Sequence, residues 1–287
     1  MSAAHARARG GSGGRSAPGP RPVVETSKPR DGVTLVTLNR PDSLNAMNHE
    51  LVAAVHNVLD DLDRDHSTRV VILTGAGRAF CAGLDLKGAG PAPGTDGVGR
   101  AQAGMISQQH IASLYTHMRS VRKPIIAAVN GAAAGGGFAF ALASDIRVAA
   151  ESARFNVAFV RIGLSGCDVG VSYLLPRLIG ASKAFELMLT GRFVDSAEAE
   201  RIGLVSRVVP DGEVVDAALE IAEQIAANSP FGVWMTKEVM WANLETGSMQ
   251  AAIDLENRTQ ILTTFTEDMP EAMRAFLEKR TPNFRNV

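Results

Sequence analysis

Apolar stretches alternate with amphipathic ones along most of the chain. Val33-Thr34-Leu35-Val36-Thr37-Leu38 reads as a strand, and Arg40-Pro41-Asp42-Ser43 as the turn that ends it. Leu51, Val55, Val58, Leu59 and Leu62 then recur at helical spacing. Val70-Val71-Ile72-Leu73 is a continuous apolar run ending at Gly75, the pattern of a strand buried on both faces. Six glycines and two prolines between residues 88 and 104 predict a long, mobile loop, with a helix over roughly 105–121 after it.

The run Pro124 to Ala143 is 20 residues long and holds one polar side chain, Asn130, so by length alone it matches a membrane span. Its glycines argue otherwise. Asn130-Gly131 and Gly135-Gly136-Gly137 would loosen a spanning helix. The better reading is a buried strand at Ile125–Val129, a turn, a glycine loop and a short buried helix from Phe138 to Ser144. Ile146–Ala149 is a further strand. Short helices are expected at 174–179, 183–189 and 197–202, a strand at 204–209, and helices at 213–227, 231–244, 247–265 and 270–279. Strands alternating with helices predict an α/β core over residues 30–215. Residues 216–287 read as an all-helical region, and residues 1–29 as a disordered tail.

Composition narrows the class. Lys and Arg number 29 against 30 Asp and Glu, which disfavours binding by phosphate neutralisation. Two cysteines, Cys81 and Cys167, exclude a disulfide framework, and six histidines without HxH or HExxH spacing disfavour a metal site. Residues 1–24 hold no acid and no apolar h-region of a secretory signal. An Arg-rich start leaves a mitochondrial transit segment as the minor alternative, but the glycines at 10–14 and the prolines between Pro18 and Pro22 oppose an amphipathic helix. The excess of Arg over Lys fits a GC-rich bacterial genome, and a bacterial cytoplasmic location is expected.

Two glycine-bearing segments follow buried strands: Phe80-Cys81-Ala82-Gly83-Leu84-Asp85-Leu86-Lys87 and Asn130-Gly131-Ala132-Ala133-Ala134-Gly135-Gly136-Gly137. Neither has the dinucleotide GxGxxG spacing, and no Walker A motif occurs. Taken singly, each reads as a tight turn. Taken as a pair, they can present bare backbone N–H groups, and two that converge form an oxyanion hole for a thioester carbonyl.

The chain resembles the enoyl-CoA hydratase/isomerase (crotonase) superfamily from about residue 30 to 287. The matching segments are Leu38-Asn39-Arg40-Pro41 with Leu44-Asn45-Ala46, Ala79 to Asp85, Lys123 to Gly131 with the triple glycine, and Asp145-Ile146-Arg147. Leu189-Thr190-Gly191, Ala197-Glu198-Ala199, Gly203-Leu204-Val205 and Ala275 to Arg280 match further on. The resemblance implies an α/β spiral of ββα repeats with a C-terminal helical trimerisation region, assembled as a trimer or a dimer of trimers. It implies a coenzyme A thioester as substrate and no prosthetic group. It places the two oxyanion donors at Leu84 and Gly136. Ala82 and Lys87 fall where the family contacts CoA, and Phe276 and Lys279 where a neighbouring subunit does; otherwise both lysines read as solvated surface charges.

Family hydratases use two glutamates, and this chain has Ala139 and Phe159 at those positions. Neither side chain can transfer a proton, so two-glutamate hydration is disfavoured. Asp168, in Gly163-Leu164-Ser165-Gly166-Cys167-Asp168-Val169-Gly170, is the carboxylate placed to replace them. The stretch resembles dienoyl-CoA isomerases, which carry an aspartate directly before Val-Gly. It also resembles aryl-CoA dehalogenases, which carry a nucleophilic aspartate four residues before Ser-Tyr. Asp168 is therefore expected to shuttle a proton between α and γ carbons. The alternatives are a helix N-cap, a nucleophile of an acyl- or aryl-CoA hydrolase, or a catalytically inactive CoA-thioester binding protein. Asp85 and Asp145 are expected to be structural, Glu151 to lie at the surface, and Cys81 and Cys167 to be small buried residues. Arg161 reads as a surface residue, with a polar acyl tail as its alternative ligand.

Overall fold

The computed structural model describes residues 21–285. The expected disorder of residues 1–20 lies outside the described residues.

The chain enters through β1 (Val24–Arg30) and β2 (Val33–Leu38), an antiparallel pair, and runs through α1 (His49–Arg64) into β3 (Val70–Gly75). Residues 24–29 are therefore not part of a disordered tail. Their polar side chains are mostly exposed, so the backbone ladder to β2 holds this edge strand rather than side-chain burial.

Three strand pairs follow, each crossing from one sheet to another. β3 is followed by β4 (Ala79–Cys81) and α2 (Arg100–Ser120). β5 (Ile125–Val129) is followed by β6 (Ala132–Ala134) and α3 (Gly136–Ala143). β7 (Ile146–Ala150) is followed by β8 (Arg154–Asn156), a 3-10 turn at Ala158–Ile162, then α4 (Val171–Ile179) and α5 (Ala181–Thr190). β9 (Val194–Asp195), α6 (Ser196–Arg201), β10 (Arg207–Val209) and α7 (Val214–Ala226) complete the core. The strands form a six-stranded sheet ordered β1-β2-β3-β5-β7-β10 and a four-stranded sheet ordered β4-β6-β8-β9. β2, β3, β5, β7 and β10 pair in parallel, as do β4, β6 and β8. This is a spiral of ββα repeats.

Burial explains the continuous apolar strands. Val71, Leu73, Ile125, Ala127 and Val129 face the main core, while Val70, Ile72, Ile126 and Ala128 face a second layer built by Val214, Ala217, Ala218, Leu219 and Ala222 of α7. A sheet covered on both faces has no polar alternation to show. The expected boundary at residues 215/216 falls inside α7, and the six-stranded sheet packs on that helix. The C-terminal helical region therefore begins at α8 (Pro230–Asn243), followed by α9 (Met249–Thr263) and α10 (Asp268–Glu278).

The helix after the glycine-rich loop starts at Arg100, so residues 100–104 are helical rather than loop. Its N-cap is Gly99, with no side-chain capping bond, so nothing in the sequence announces the start. Pro124 to Ala143 is a strand, a turn, a three-residue strand and a buried helix. No helix among the described residues is long and apolar enough to cross a membrane.

Candidate active site

The first loop is held by the residues before α1. Met47 N–H donates to Gly83 O at 2.7 Å and Asp85 N–H to Met47 O at 2.8 Å, so Leu84 pairs with Met47 as a short parallel bridge. In such a bridge the N–H of Leu84 points away from Met47. Arg40 ion-pairs with Asp85 at 2.9 Å and also donates to Ala46 O. The guanidinium holds the Asp85 carboxyl below the usual carboxylate range, which fits the structural role expected of it. Asn45 donates to Ala76 O at 2.9 Å and Ala79 O at 2.7 Å. The motif Leu38 to Ala46 is thus the brace of the first loop.

The second loop is set by the pairing of β4 with β6. Gly83 has φ +93°, and a Cβ there would sit 2.8 Å from Ala134 O and 3.6 Å from Gly136 N, so the two loops touch. Gly136 opens α3, at the positive end of the helix. Among the described residues, neither Leu84 N–H nor Gly136 N–H donates to a protein acceptor. Tyr115 of α2 fixes the turn from behind, its hydroxyl donating to Gly136 O at 2.9 Å. Burial pushes the Tyr115 phenol well above its ordinary pKa, and the nearby Cys81 and Asp168 add to the effect.

Ala139 lies fully buried in α3, and Phe159 is 9% exposed. A Cβ on Gly135 would lie 3.4 Å from the Phe159 ring, so the ring stands against the triple glycine. Both positions are apolar and beside the glycine turn.

Asp168 is half-buried and does not cap α4, whose N-cap is Gly170. Its Oδ1 accepts from Val169 N–H at 2.8 Å and from Gln108 Nε2 at 2.5 Å. Among the described residues Oδ2 accepts no hydrogen bond. Gln108 and Tyr115, both on α2, escaped the sequence reading; their seven-residue spacing on one helix was the available signal.

Of the remaining candidates, Ala82 donates its N–H to Leu44 O at 3.0 Å, and Lys87 is exposed beside Asp85. Phe276 and Lys279 are exposed at the end of α10. Asp145 accepts from Ile125 N–H and Trp241 Nε1, each at 2.7 Å, and pairs with Lys237 at 2.9 Å, so it joins β5 to α8. Arg161 is exposed, its stem against Gly191, and Glu151 is exposed. Cys81 is buried, but Cys167 is exposed, because the loop before α4 lies on the surface. A cavity of about 1050 Å³ lies apart from this cluster, between α8, α9 and the core.

Residues 28–287 match the family model described as enoyl-CoA hydratase/isomerase. The chain belongs to that family. It is 43% identical over 263 residues to a probable enoyl-CoA hydratase from Mycobacterium tuberculosis, covering 91% of this chain and 92% of the relative. It is 38% identical over 258 residues to 1,2-epoxyphenylacetyl-CoA isomerase from Escherichia coli, covering 88% and 95%. A probable enoyl-CoA hydratase/isomerase from Mycobacterium abscessus superposes with TM-score 0.88 at 39% identity, over 93% of this chain and 99% of that one. A monofunctional enoyl CoA isomerase from M. smegmatis matches with TM-score 0.69 at 42% identity, over 81% and 99%. The crotonase-type fold and an acyl-CoA enzyme of this family follow from these matches.

Proposed function

We propose that this enzyme moves a double bond along a CoA-bound acyl chain, with Asp168 carrying the proton. What supports the reading is the contrast between the two family hydratase positions and Asp168. The two hydratase positions are the apolar Ala139 and Phe159, whereas Asp168 offers a carboxylate with one oxygen anchored and the other open.

Leu84 and Gly136 N–H groups accept the charge that develops on the thioester oxygen, which acidifies the α-carbon. Asp168 Oδ2 takes the C2 proton, electrons shift through the dienolate, and the C3=C4 bond becomes C2=C3. The same carboxyl returns the proton to C4, so acid and base are one group and nothing is consumed. Exposed Leu84, Leu86, Met105, Ile162 and Leu164 lie on the segments that carry the site and supply apolar surface for an acyl chain. Ala82 and Lys87 are the CoA contacts of the same subunit. Phe276 and Lys279 are those of a neighbour in a trimer or dimer of trimers. The helical region supports such assembly: α9 buries no residue within the chain, and Phe265 and Phe276 are 80% and 84% exposed.

The test is a panel of 3-enoyl-, dienoyl- and 2-enoyl-CoA thioesters with wild type and Asp168→Asn. Isomerisation lost in Asp168→Asn supports the proposal, and turnover undiminished by the substitution sinks it. Tight CoA binding without turnover would point to a binding protein, and release of free CoA to a hydrolase.

A further inference from the structure

We propose that Gln108 is the positioning residue that makes Asp168 a one-oxygen base. This rests on the reading that Asp168 carries the proton. The two donors on Oδ1 come from different directions, the Gln108 amide from α2 and the Val169 N–H from the chain itself. Together they fix the carboxylate plane and leave Oδ2 as the basic oxygen. An amide suits the task because it donates at every pH and takes up no proton itself.

Two further features point the same way. Val169 has φ +41°, in the left-handed region that a β-branched residue rarely occupies. Strain of this kind persists only where the surroundings over-determine it, and here the strained residue's N–H is bonded to Asp168. The second feature is the seating of α2. Gln108 and Tyr115 lie two turns apart on one face, holding Asp168 and Gly136 respectively. On another face, His117 stacks on His56 of α1 at 5.2 Å between ring centroids, while His110 packs at a tilt 5.6 Å from His56 and 5.7 Å from His49. The helix that places Gln108 is itself locked to α1. One rigid element thus sets the base and the glycine turn in common.

The experiment compares full-length wild type, Gln108→Ala, Gln108→Glu and Asp168→Asn on 3-hexenoyl-CoA. Formation of the conjugated 2-enoyl thioester is followed across the pH range in which carboxylates titrate. Gln108→Ala is expected to lower kcat about ten-fold, the scale of losing one hydrogen bond to a charged group. KM should stay within about two-fold, because the bond is made to the enzyme's own base and not to substrate. The acidic limb of the kcat profile should move to higher pH, and further in Gln108→Glu, where a second carboxylate faces the first. A ¹³C NMR titration of the Asp168 carboxyl in the free enzyme should show the same upward shift, whatever the substrate. If kcat, the acidic limb and the NMR titration are unchanged in Gln108→Ala while Asp168→Asn is inactive, the role of Gln108 is refuted and that of Asp168 stands. If Asp168→Asn turns over at the wild-type rate, both fall.

Discussion

The triple glycine separates a catalytic requirement from a packing one, residue by residue. A Cβ on Gly136 would fall 2.1 Å from Met47 Cε and 2.9 Å from the Tyr115 hydroxyl. The methionine methyl is the end of a flexible chain and can withdraw, although Met47 is 1% exposed and has little room. Gly136→Ala therefore costs about 1–3 kcal/mol of overpacking and about 1 kcal/mol for the weakened Tyr115 hydrogen bond. Up to about 1 kcal/mol is regained from helix propensity. The net is about 1–3 kcal/mol, a fall in Tm of roughly 3–10 °C for a chain of this size. Turnover is expected to fall much further, by about 10²–10³, because the displaced peptide carries one of the two N–H donors proposed for the oxyanion hole. At Gly137 the added Cβ would lie 2.0 Å from Cys81 O and 2.6 Å from its carbonyl carbon. That obstacle is the backbone of β4 and has no rotamer by which to escape. Gly137→Ala is expected to lose cooperative folding, at more than about 4 kcal/mol. The assay is thermal unfolding beside turnover of an enoyl-CoA thioester for both variants. A Gly136→Ala enzyme at near-wild-type rate would remove Gly136 from the oxyanion hole. A Gly137→Ala protein with unchanged Tm would refute the packing of α3 on β4.

Two further outcomes follow from ionisation. Burial pulls His49, His56 and His110 below their ordinary pKa of 6.5; around them lie His117, the hydroxyls of Ser107 and Ser113, and Asp60, which is 3.3 Å from His117. The unfolded chain then binds more protons than the folded one below about pH 6.5, so stability present above that value is lost as pH falls toward the folded pKa values. Urea midpoints measured from about pH 7 to about pH 5 should decline, less so in His56→Gln, and a flat series would show that the imidazoles are not buried neutral. Burial pushes the Cys81 thiol up to about 12, while Cys167 lies exposed. Iodoacetamide on the native protein should label Cys167 and spare Cys81, and peptide mass mapping of prompt Cys81 labelling would show the β4 environment to be open.

The six-stranded sheet was legible because Val70–Leu73 and Ile125–Val129 are long, wholly apolar runs. The four-stranded sheet was not. Its strands are two or three residues long, and Ala132-Ala133-Ala134 carries neither an alternation nor a β-branched side chain. Yet β4 and β6 are what bring the two glycine loops into contact, so their convergence was readable only through family resemblance. Asp168 stood out as an unexpected acid, but its partner Gln108 lies sixty positions away in sequence. Nothing local marks a glutamine that donates to one carboxylate oxygen. The cluster of four histidines is hidden for a related reason: His49 with His56 and His110 with His117 repeat at i,i+7, which is helix-face spacing and not a metal-ligand pattern. Local signals report elements, whereas the site is assembled by contacts between them.

The central claim is that proton transfer through Asp168 has replaced hydration in this chain. Mass analysis of products from 3-hexenoyl-CoA and 2-hexenoyl-CoA tests it most directly. The account predicts that wild type converts the first into the second without a change in mass, that Asp168→Asn does not, and that the 2-enoyl thioester gains no water. A 3-hydroxyacyl product heavier by one water, formed equally well by Asp168→Asn, would contradict it.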